Sequence, residues 1–435
     1  MNITAYHAGS GDCVLVTSTD GKHHILVDGG RSGPYEDHIR AQLGNLRAAG
    51  GTIDLLCVSH IDNDHVSGVL KLLSDEVAWR KHEFELDSDP NAEPPPVPRP
   101  PAIGQVWHNA LFVLVGESND HLVAEIASAI SGLMGGSDED HDLAHELENI
   151  ATGFKEGMEI SRRISDHHLG LNLNPSAEGG LLKRTTPGSL LELGNMKHFV
   201  LGPSDDDLER LRRKWDTWLR TAGDRLESLH DRLRDDEAEL VTFDPGAISA
   251  PAIGLTLGEG NITPPNLASI MMLIEEGDET LLLTGDGSSE EILQGLEHHG
   301  KIGAAGEPGD RLHVTTLKVQ HHGASANVTE DFVKRVTADN YLFCSNGSHH
   351  NPEIEVLKSL AKARLTGIGS AEPVGLDSEF KFWFTSSENT PGIQGTSVAK
   401  PHMDDVRTTV NQLVAASGGR MTAQFIDDGQ LEIGA

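Results

Sequence analysis

The stretch Ile53-Asp54-Leu55-Leu56-Cys57-Val58-Ser59-His60-Ile61-Asp62-Asn63-Asp64-His65 decides how this chain is read. Its first half, Ile53 to Ser59, is a nearly continuous apolar run, the pattern of a strand buried on both faces of a sheet. The second half turns polar at once. His60 to His65 reads as a loop at the strand's carboxyl end, with a helix expected from Val66 to Leu73. Open α/β sheets place their sites at the carboxyl ends of strands. Two histidines and two aspartates meet there within six residues. Imidazole nitrogens and carboxylate oxygens suit zinc, manganese and iron. The tight spacing lets His60, Asp62, Asp64 and His65 converge on one or two ions from a loop, without a helix to set the geometry.

Working upstream, Ile3 to His7, Cys13 to Ser18 and His24 to Asp28 are short β-type runs separated by Gly-rich turns. Tyr35 to Ala49 has helical spacing. Asp28 ends Ile25-Leu26-Val27-Asp28-Gly29-Gly30 and is expected to orient a ligand rather than to be one. Downstream, Ile103 to Trp107 resumes as a strand. Ile270 to Ile274 and Thr280 to Leu283 flank a Gly-containing turn and form a hairpin. Gly285-Asp286-Gly287 ends the hairpin, and Ser288 with Glu291 forms a capping box that opens a helix. Val314 to Val319 leads into Gln320-His321-His322-Gly323. Asp286 and the His pair thus also lie at strand ends. A helix (Glu330 to Val336), a strand (Tyr341 to Cys344) and a helix (Glu353 to Ala363) follow.

Between these blocks lie insertions. From Pro90 to Pro101 seven of twelve residues are proline, predicting an exposed, stiff, polyproline-like spacer within 85–102. The stretch 116–185 reads as acidic and helical, and 205–245 as amphipathic and helical. The latter carries a basic patch of Arg210, Arg212, Arg213, Lys214 and Arg220. The segment 366–435 bears no readable motif beyond a strand at Phe380 to Phe384 and a helix near Val406 to Leu413. We therefore expect one domain over 1–435 with three insertions and a C-terminal extension.

Composition narrows the function classes. The 435 residues include 34 Lys+Arg against 67 Asp+Glu, a net charge of −33, which opposes generic coating of nucleic acid. No apolar run approaches the ~18 residues of a membrane span, and the start lacks the basic-then-apolar pattern of a secretory signal. Cys13, Cys57 and Cys344 are far apart, without a CxxC pair, which fits a reducing, cytoplasmic compartment. No GxSxG elbow or GxxxxGK[ST] loop offers a rival chemistry.

The HxDxDH run of His60 to His65 resembles the leading HxHxDH motif of the metallo-β-lactamase superfamily. Asp62 in place of the second histidine resembles the branch containing the hydrolase domain of the competence DNA-uptake protein ComEC. Gly9-Ser10-Gly11-Asp12, Leu26-Val27-Asp28-Gly29-Gly30, Leu201-Gly202-Pro203, Asn266 with Ser269, Leu283-Thr284-Gly285-Asp286 and Lys318-Val319-Gln320-His321-His322-Gly323 are similar to that branch as well.

The resemblance implies an α/β fold, a four-layer αββα sandwich with helical insertions, and two divalent ions, zinc or manganese, on the rim where the sheets meet. By position, His60 and Asp62 would bind the first ion, Asp64 and His65 the second, Asp286 would bridge them, and His321 would complete the second set, with His322 beside it. The first ion lacks a third histidine; His198 and His108 read more simply as core or surface residues. Asp64, with Asp62, is the expected catalytic carboxylate. Lys318, Asn346 and His350 are expected near the site, as substrate contacts or supports. Two divalent ions against Asp62, Asp64 and Asp286 would leave the centre locally cationic.

The expected activity is a metal-dependent hydrolase, a phosphodiesterase or nuclease acting on nucleic acid or a nucleotide. A small-molecule esterase and a non-catalytic metal-binding module are the alternatives. The Pro-rich and helical insertions leave room for a protein partner; no membrane association is expected, and the sequence does not determine the oligomeric state.

Overall fold

The computed structural model describes residues 1–109, 156–157, 159–184, 188–210, 213, 269–367 and 378–434. Most of the two helical insertions, Arg212, Lys214 and Arg220 of the basic patch, and Asn266 lie outside these residues.

Seven strands form one sheet: β1 (Asn2–Tyr6), β2 (Val14–Thr17), β3 (His24–Val27), β4 (Ile53–Val58), β5 (Ile103–His108), β6 (Asn172–Leu173), and a last strand from the C-terminal end. Eight form the other: β7 (Leu191–Leu193), β8 (Met196–Gly202), β9 (Met271–Glu276), β10 (Glu279–Leu283), β11 (Leu312–Lys318), β12 (Val336–Phe343), β13 (Phe380–Phe384) and β14 (Met421–Phe425). The returning strand, β15 (Gln430–Ile433), pairs antiparallel with β1. The C-terminal segment is thus built into both sheets.

Each sheet changes from antiparallel to parallel pairing once, at β3–β4 in the first and at β10–β11 in the second. Side-chain alternation explains the layering. In β4, Leu55 and Cys57 face the second sheet, packing in a core with Val27, Met272, Leu281, Leu283 and Leu342, while Leu56 and Val58 face away. The outer face of the first sheet is covered by α1 (Arg40–Ala48) and α2 (Asn63–Leu86). The second is covered by α3 (Ser289–His298), α4 (Glu330–Arg335), α5 (Ile354–Leu365) and α6 (Ala399–Ala416). The result is the expected αββα sandwich. Among the described residues no helix is long and apolar enough to cross a membrane.

Three local expectations change. The helix expected from Val66 to Leu73 instead runs from Asn63 to Leu86. Good helix formers continue past Leu73, and buried Asp75 and Glu76 are held by Arg40 and Arg80. Asp64 and His65 therefore sit in the first helical turn and not on a free loop. The Pro-rich segment, expected to be exposed, is only partly so: Pro90, Pro94, Pro96 and Pro98 are exposed, while Pro100 and Pro101 are buried and the segment touches α1 and α2. Val97 accepts the Trp79 indole N–H at 3.0 Å, Pro100 accepts from Arg47 at 3.1 Å, and Arg99 pairs with Glu83. Strand β12 begins at Val336 rather than Tyr341, because Val336 and Thr337 pair in parallel with Leu312 and His313. The Ser288–Glu291 capping box forms with both of its hydrogen bonds.

Two glycines set where α2 begins. A Cβ on Gly68 would overlap the Gly29 carbonyl oxygen, and one on Gly29 would overlap the backbone of Val69. This contact lets the helix lie directly on the turn after β3, where Gly29 N–H bonds to His65 O at 2.9 Å and Gly68 N–H to Gly30 O at 2.8 Å. Helix propensity alone would favour alanine at position 68 by ~1 kcal/mol. We predict the opposite sign: Gly68→Ala should destabilise by roughly 1–3 kcal/mol or more through overpacking. Gly33→Ala, whose Cβ would meet no atom within 4 Å, should be near neutral. Thermal melts compare them, and a Gly68→Ala protein melting at or above wild type would refute the close-contact account.

Candidate metal centre

The candidate site lies at the carboxyl ends of β3, β4, β10 and β11, where both sheets change their pairing. Asp28 follows β3 with φ 57°, a left-handed conformation uncommon for a non-glycine residue. Its Oδ1 accepts the Ser59 backbone N–H at 2.7 Å, and its Oδ2 accepts the Ser59 hydroxyl at 2.6 Å and faces His65 Nδ1 at 2.8 Å. Beyond β4, Ser59 O accepts from Ile270 N at 2.9 Å, joining the two sheets at the rim. His321 and His322 take φ of 45° and 56° after β11. Such backbone strain costs on the order of 1–3 kcal/mol per residue and clusters at functional sites.

These conformations aim four imidazoles at one carboxylate oxygen. Asp286 Oδ2 lies 3.6 Å from Nε2 of His60, 3.6 Å from Nε2 of His65, 3.7 Å from Nε2 of His321 and 3.5 Å from Nε2 of His322. Asp62 Oδ2 lies 3.7 Å from His60 Nε2. Asp64 lies 3.6 Å from His322 Nε2 and 4.0 Å from His65 Nε2. The other ring nitrogen of each histidine is engaged: His60 by the Ser59 hydroxyl at 3.0 Å, His65 by Asp28, His321 by Asn327 Oδ1 at 2.7 Å, and His322 by Cys344 O at 2.7 Å. Among the described residues, the buried Nε2 atoms of His60 and His65 have no hydrogen-bond partner, while Asp286 Oδ1 makes no hydrogen bond and lies 3.7 Å from Lys318 Nζ. Buried polar atoms are normally satisfied. Orphaned imidazole nitrogens, pre-aimed by their neighbours at the space beside Asp286 Oδ2, fit a divalent cation.

Electrostatics agrees. Burial alone would lower the pKa of His65 and His322, yet the surrounding carboxylates, Asp286 and Asp12 foremost, raise His65 well above the usual value and His322 to about 10. His60 is lowered to about 3 by burial and by His65. Burial opposes ionisation of Asp286 and Asp64, but the histidines hold both below the ordinary range. Asp62 is pushed up by burial and by the negative charges of Asp64 and Asp286, moderated by a side chain 32% exposed. The excess negative charge recruits protons where a cation would serve.

The sequence reading named His60, Asp62, Asp64, His65, Asp286 and His321, and all six lie in this cluster. His322, expected beside the ligands, reaches Asp64 and Asp286 as closely as any imidazole here. Asp28 holds His65, as expected of a supporting acceptor. Lys318 is buried at the centre; it pairs with Asp12 and donates to Gly285 O at 3.0 Å. Asn346 and His350 lie in the turn after β12. Asn346 Oδ1 accepts from Ser348 N at 3.1 Å, and the exposed His350 ring packs edge-on to His402. His198 bonds Leu191 O at 2.9 Å and His108 is buried in β5; neither joins the cluster.

Two residues were missed. Asp12 groups with His65, Asp286 and His322 in a set whose ligating atoms lie within 4.8 Å of one another. We read it as a support, since Lys318 takes one oxygen and the other faces His322 Nδ1 at 3.3 Å, away from the open Nε2 side. Its signal was Gly11, where a Cβ would overlap the Asp64 carbonyl oxygen. Asn327, fully buried, ties His321 to the Asp286 backbone oxygen at 3.0 Å; it had no sequence signal because it lies in an unremarked loop.

Asp12 and Asp28 also correct the charge balance. Five carboxylates against Lys318 leave four negative charges with neutral histidines. Two divalent ions would make the centre neutral, not cationic.

Because Asp28 acts through His65, Asp28→Asn should weaken metal affinity about 10–100-fold with the fold retained. Competition with a chromophoric chelator, checked by circular dichroism, measures this; unchanged affinity would remove Asp28 from the centre. Chelator treatment of the wild type should also lower its melting temperature.

No curated protein matches the chain. Residues 7–116, which contain Asp12, Asp28 and the whole His60–His65 motif, match the Metallo-beta-lactamase superfamily.

Proposed function

We propose that this protein is a metal-dependent phosphodiesterase, with nucleic acid or a nucleotide as substrate, resembling the ComEC-type hydrolase branch. The observation that carries the reading is the convergence of four Nε2 atoms on Asp286 Oδ2, with buried orphan atoms among them. The superfamily match supports a metal-dependent hydrolase. His60 and Asp62 would hold a first ion, and Asp64, His65 and one or both of His321 and His322 a second, with Asp286 between them. Zinc or manganese suits these nitrogen and oxygen donors. When bound, such ions lower the pKa of water and neutralise charge developing on the ester.

The protein's own residues do the rest. Asp64, held ionised beside His65 and His322, accepts a proton from the attacking water. Asp62, at the exposed edge, orients that water. Asp28, Asn327 and Ser59 lock the imidazoles so that nothing must reorganise when substrate arrives. Three buried, unpaired cysteines fit a reducing cytoplasmic setting.

A small-molecule ester or nucleotide hydrolase is the second reading. The net charge of −33 favours it, because a polymer must approach an acidic surface.

The test is direct. Incubation with Mn²⁺, Zn²⁺ or Mg²⁺ and supercoiled, linear and single-stranded DNA, RNA and bis(4-nitrophenyl) phosphate should yield cleavage. Asp64→Asn should lower turnover by about 100-fold or more, with metal content measured alongside to separate loss of the base from loss of an ion. Hydrolysis of the small diester alone would favour the second reading. Metal bound with no hydrolysis of any ester would point instead to a non-catalytic metal-binding module.

A further inference from the structure

Arg31 stands at the rim of this centre in a fixed pose. Its backbone N–H bonds to Ala8 O at 3.1 Å, and its stem passes over Gly9, where a Cβ would touch Arg31 Cγ at 3.4 Å. The guanidinium Nε donates to Ser10 Oγ at 2.8 Å and Nη1 donates to Asn63 Oδ1 at 2.8 Å. Both anchors border the site: Ser10 precedes Asp12 by two residues, and Asn63 lies between Asp62 and Asp64. The amide is itself oriented. Asn63 Nδ2 donates to Glu156 at 3.0 Å, so its oxygen must face the arginine.

Both acceptors are neutral, and among the described residues no carboxylate forms an ion pair with Arg31. Asp64 feels its charge, which helps hold that carboxyl ionised, yet among the described residues the exposed guanidinium has no carboxylate in ion-pair contact, although the chain has 67 acidic residues against 34 basic ones. A guanidinium carries five N–H groups. Two are used in holding the side chain, and three, on Nη1 and Nη2, remain for a ligand. A planar fork with free donors matches two oxygens of a phosphate. A lysine would offer charge without that geometry.

We propose that Arg31 is the substrate-anchoring residue of this site, gripping a phosphate group of an anionic ester at the rim. The inference rests on the hydrolase reading above and deepens it. The metal centre would be neutral once two ions are counted, so Arg31 would supply the uncompensated positive charge at the rim. The preset pose lowers the ordering cost of binding. Since the contact is made equally to ground and transition states, it acts on binding more than on turnover.

The experiment uses the full chain loaded with Zn²⁺ or Mn²⁺, with metal content measured by elemental analysis. Inorganic phosphate binding is followed by calorimetry, and bis(4-nitrophenyl) phosphate kinetics by absorbance. Arg31→Gln should weaken phosphate binding and raise KM by about 10-fold or more, with kcat within about 3-fold and metal content unchanged. Arg31→Lys, which keeps the charge and loses the fork, should fall between; it also decides the matter if the Gln variant does not fold. Wild-type affinity in both variants overturns the proposal, as does loss of metal in Arg31→Gln, which would make the residue a structural clamp. A metal-loaded wild type that binds no phosphate overturns it while leaving the metal centre standing. A wild type that takes up no metal overturns both readings.

Discussion

The Asp28 carboxylate holds the site together. Buried at the end of β3, it accepts two hydrogen bonds from Ser59 and faces His65, so the end of β4 and the first turn of α2 are fastened to one group. A buried charge without partners would cost several kcal/mol. Here the partners are the residues that must be positioned, so the cost of burial enforces the geometry. The glycine contact of Gly29 and Gly68 makes the arrangement possible, because any side chain would push α2 away from β3 and move His65 with it.

The second sheet repeats the logic with different parts. Asn327 links His321 to the Asp286 turn, and Lys318 links Asp12 to the Gly285 carbonyl. Each sheet contributes its groups from the place where parallel pairing begins, because a parallel strand leaves its carboxyl end open where its connection departs. Two such ends face one another across the rim. Negative charge accumulates there beyond what Lys318 offsets, and it raises the pKa of His65 and His322. Arg31, held by Ser10 and Asn63, adds a positive charge at the rim outside that cluster.

The HxDxDH run was legible because ligand types, spacing and a preceding buried strand all occur within thirteen residues. Strands such as Phe380–Phe384 and the Ser288 capping box were legible for the same reason, since short-range pattern determines them. The length of α2 was not, because its second half is held by Arg40, Arg80 and the Pro-rich segment, which are distant in sequence. That segment reads as exposed by composition, yet Trp79 and Arg47 bind its carbonyls. Asp12, in a quoted Gly-rich turn, was not seen as part of the centre, because only the approach of Asp64 to Gly11 shows its place.

By itself the sequence located the strands of the first sixty residues, implied the αββα class through its resemblance, and named six residues that the fold brings together. Local hydrogen-bonding and apolar periodicity carry that information along the chain. Only the tertiary structure decided that His322 approaches as closely as His321, that Lys318 is buried against Asp12, and that Arg31 is held at the rim by Ser10 and Asn63. Each depends on groups brought together from strands tens or hundreds of residues apart, and their shared burial sets both charge and direction.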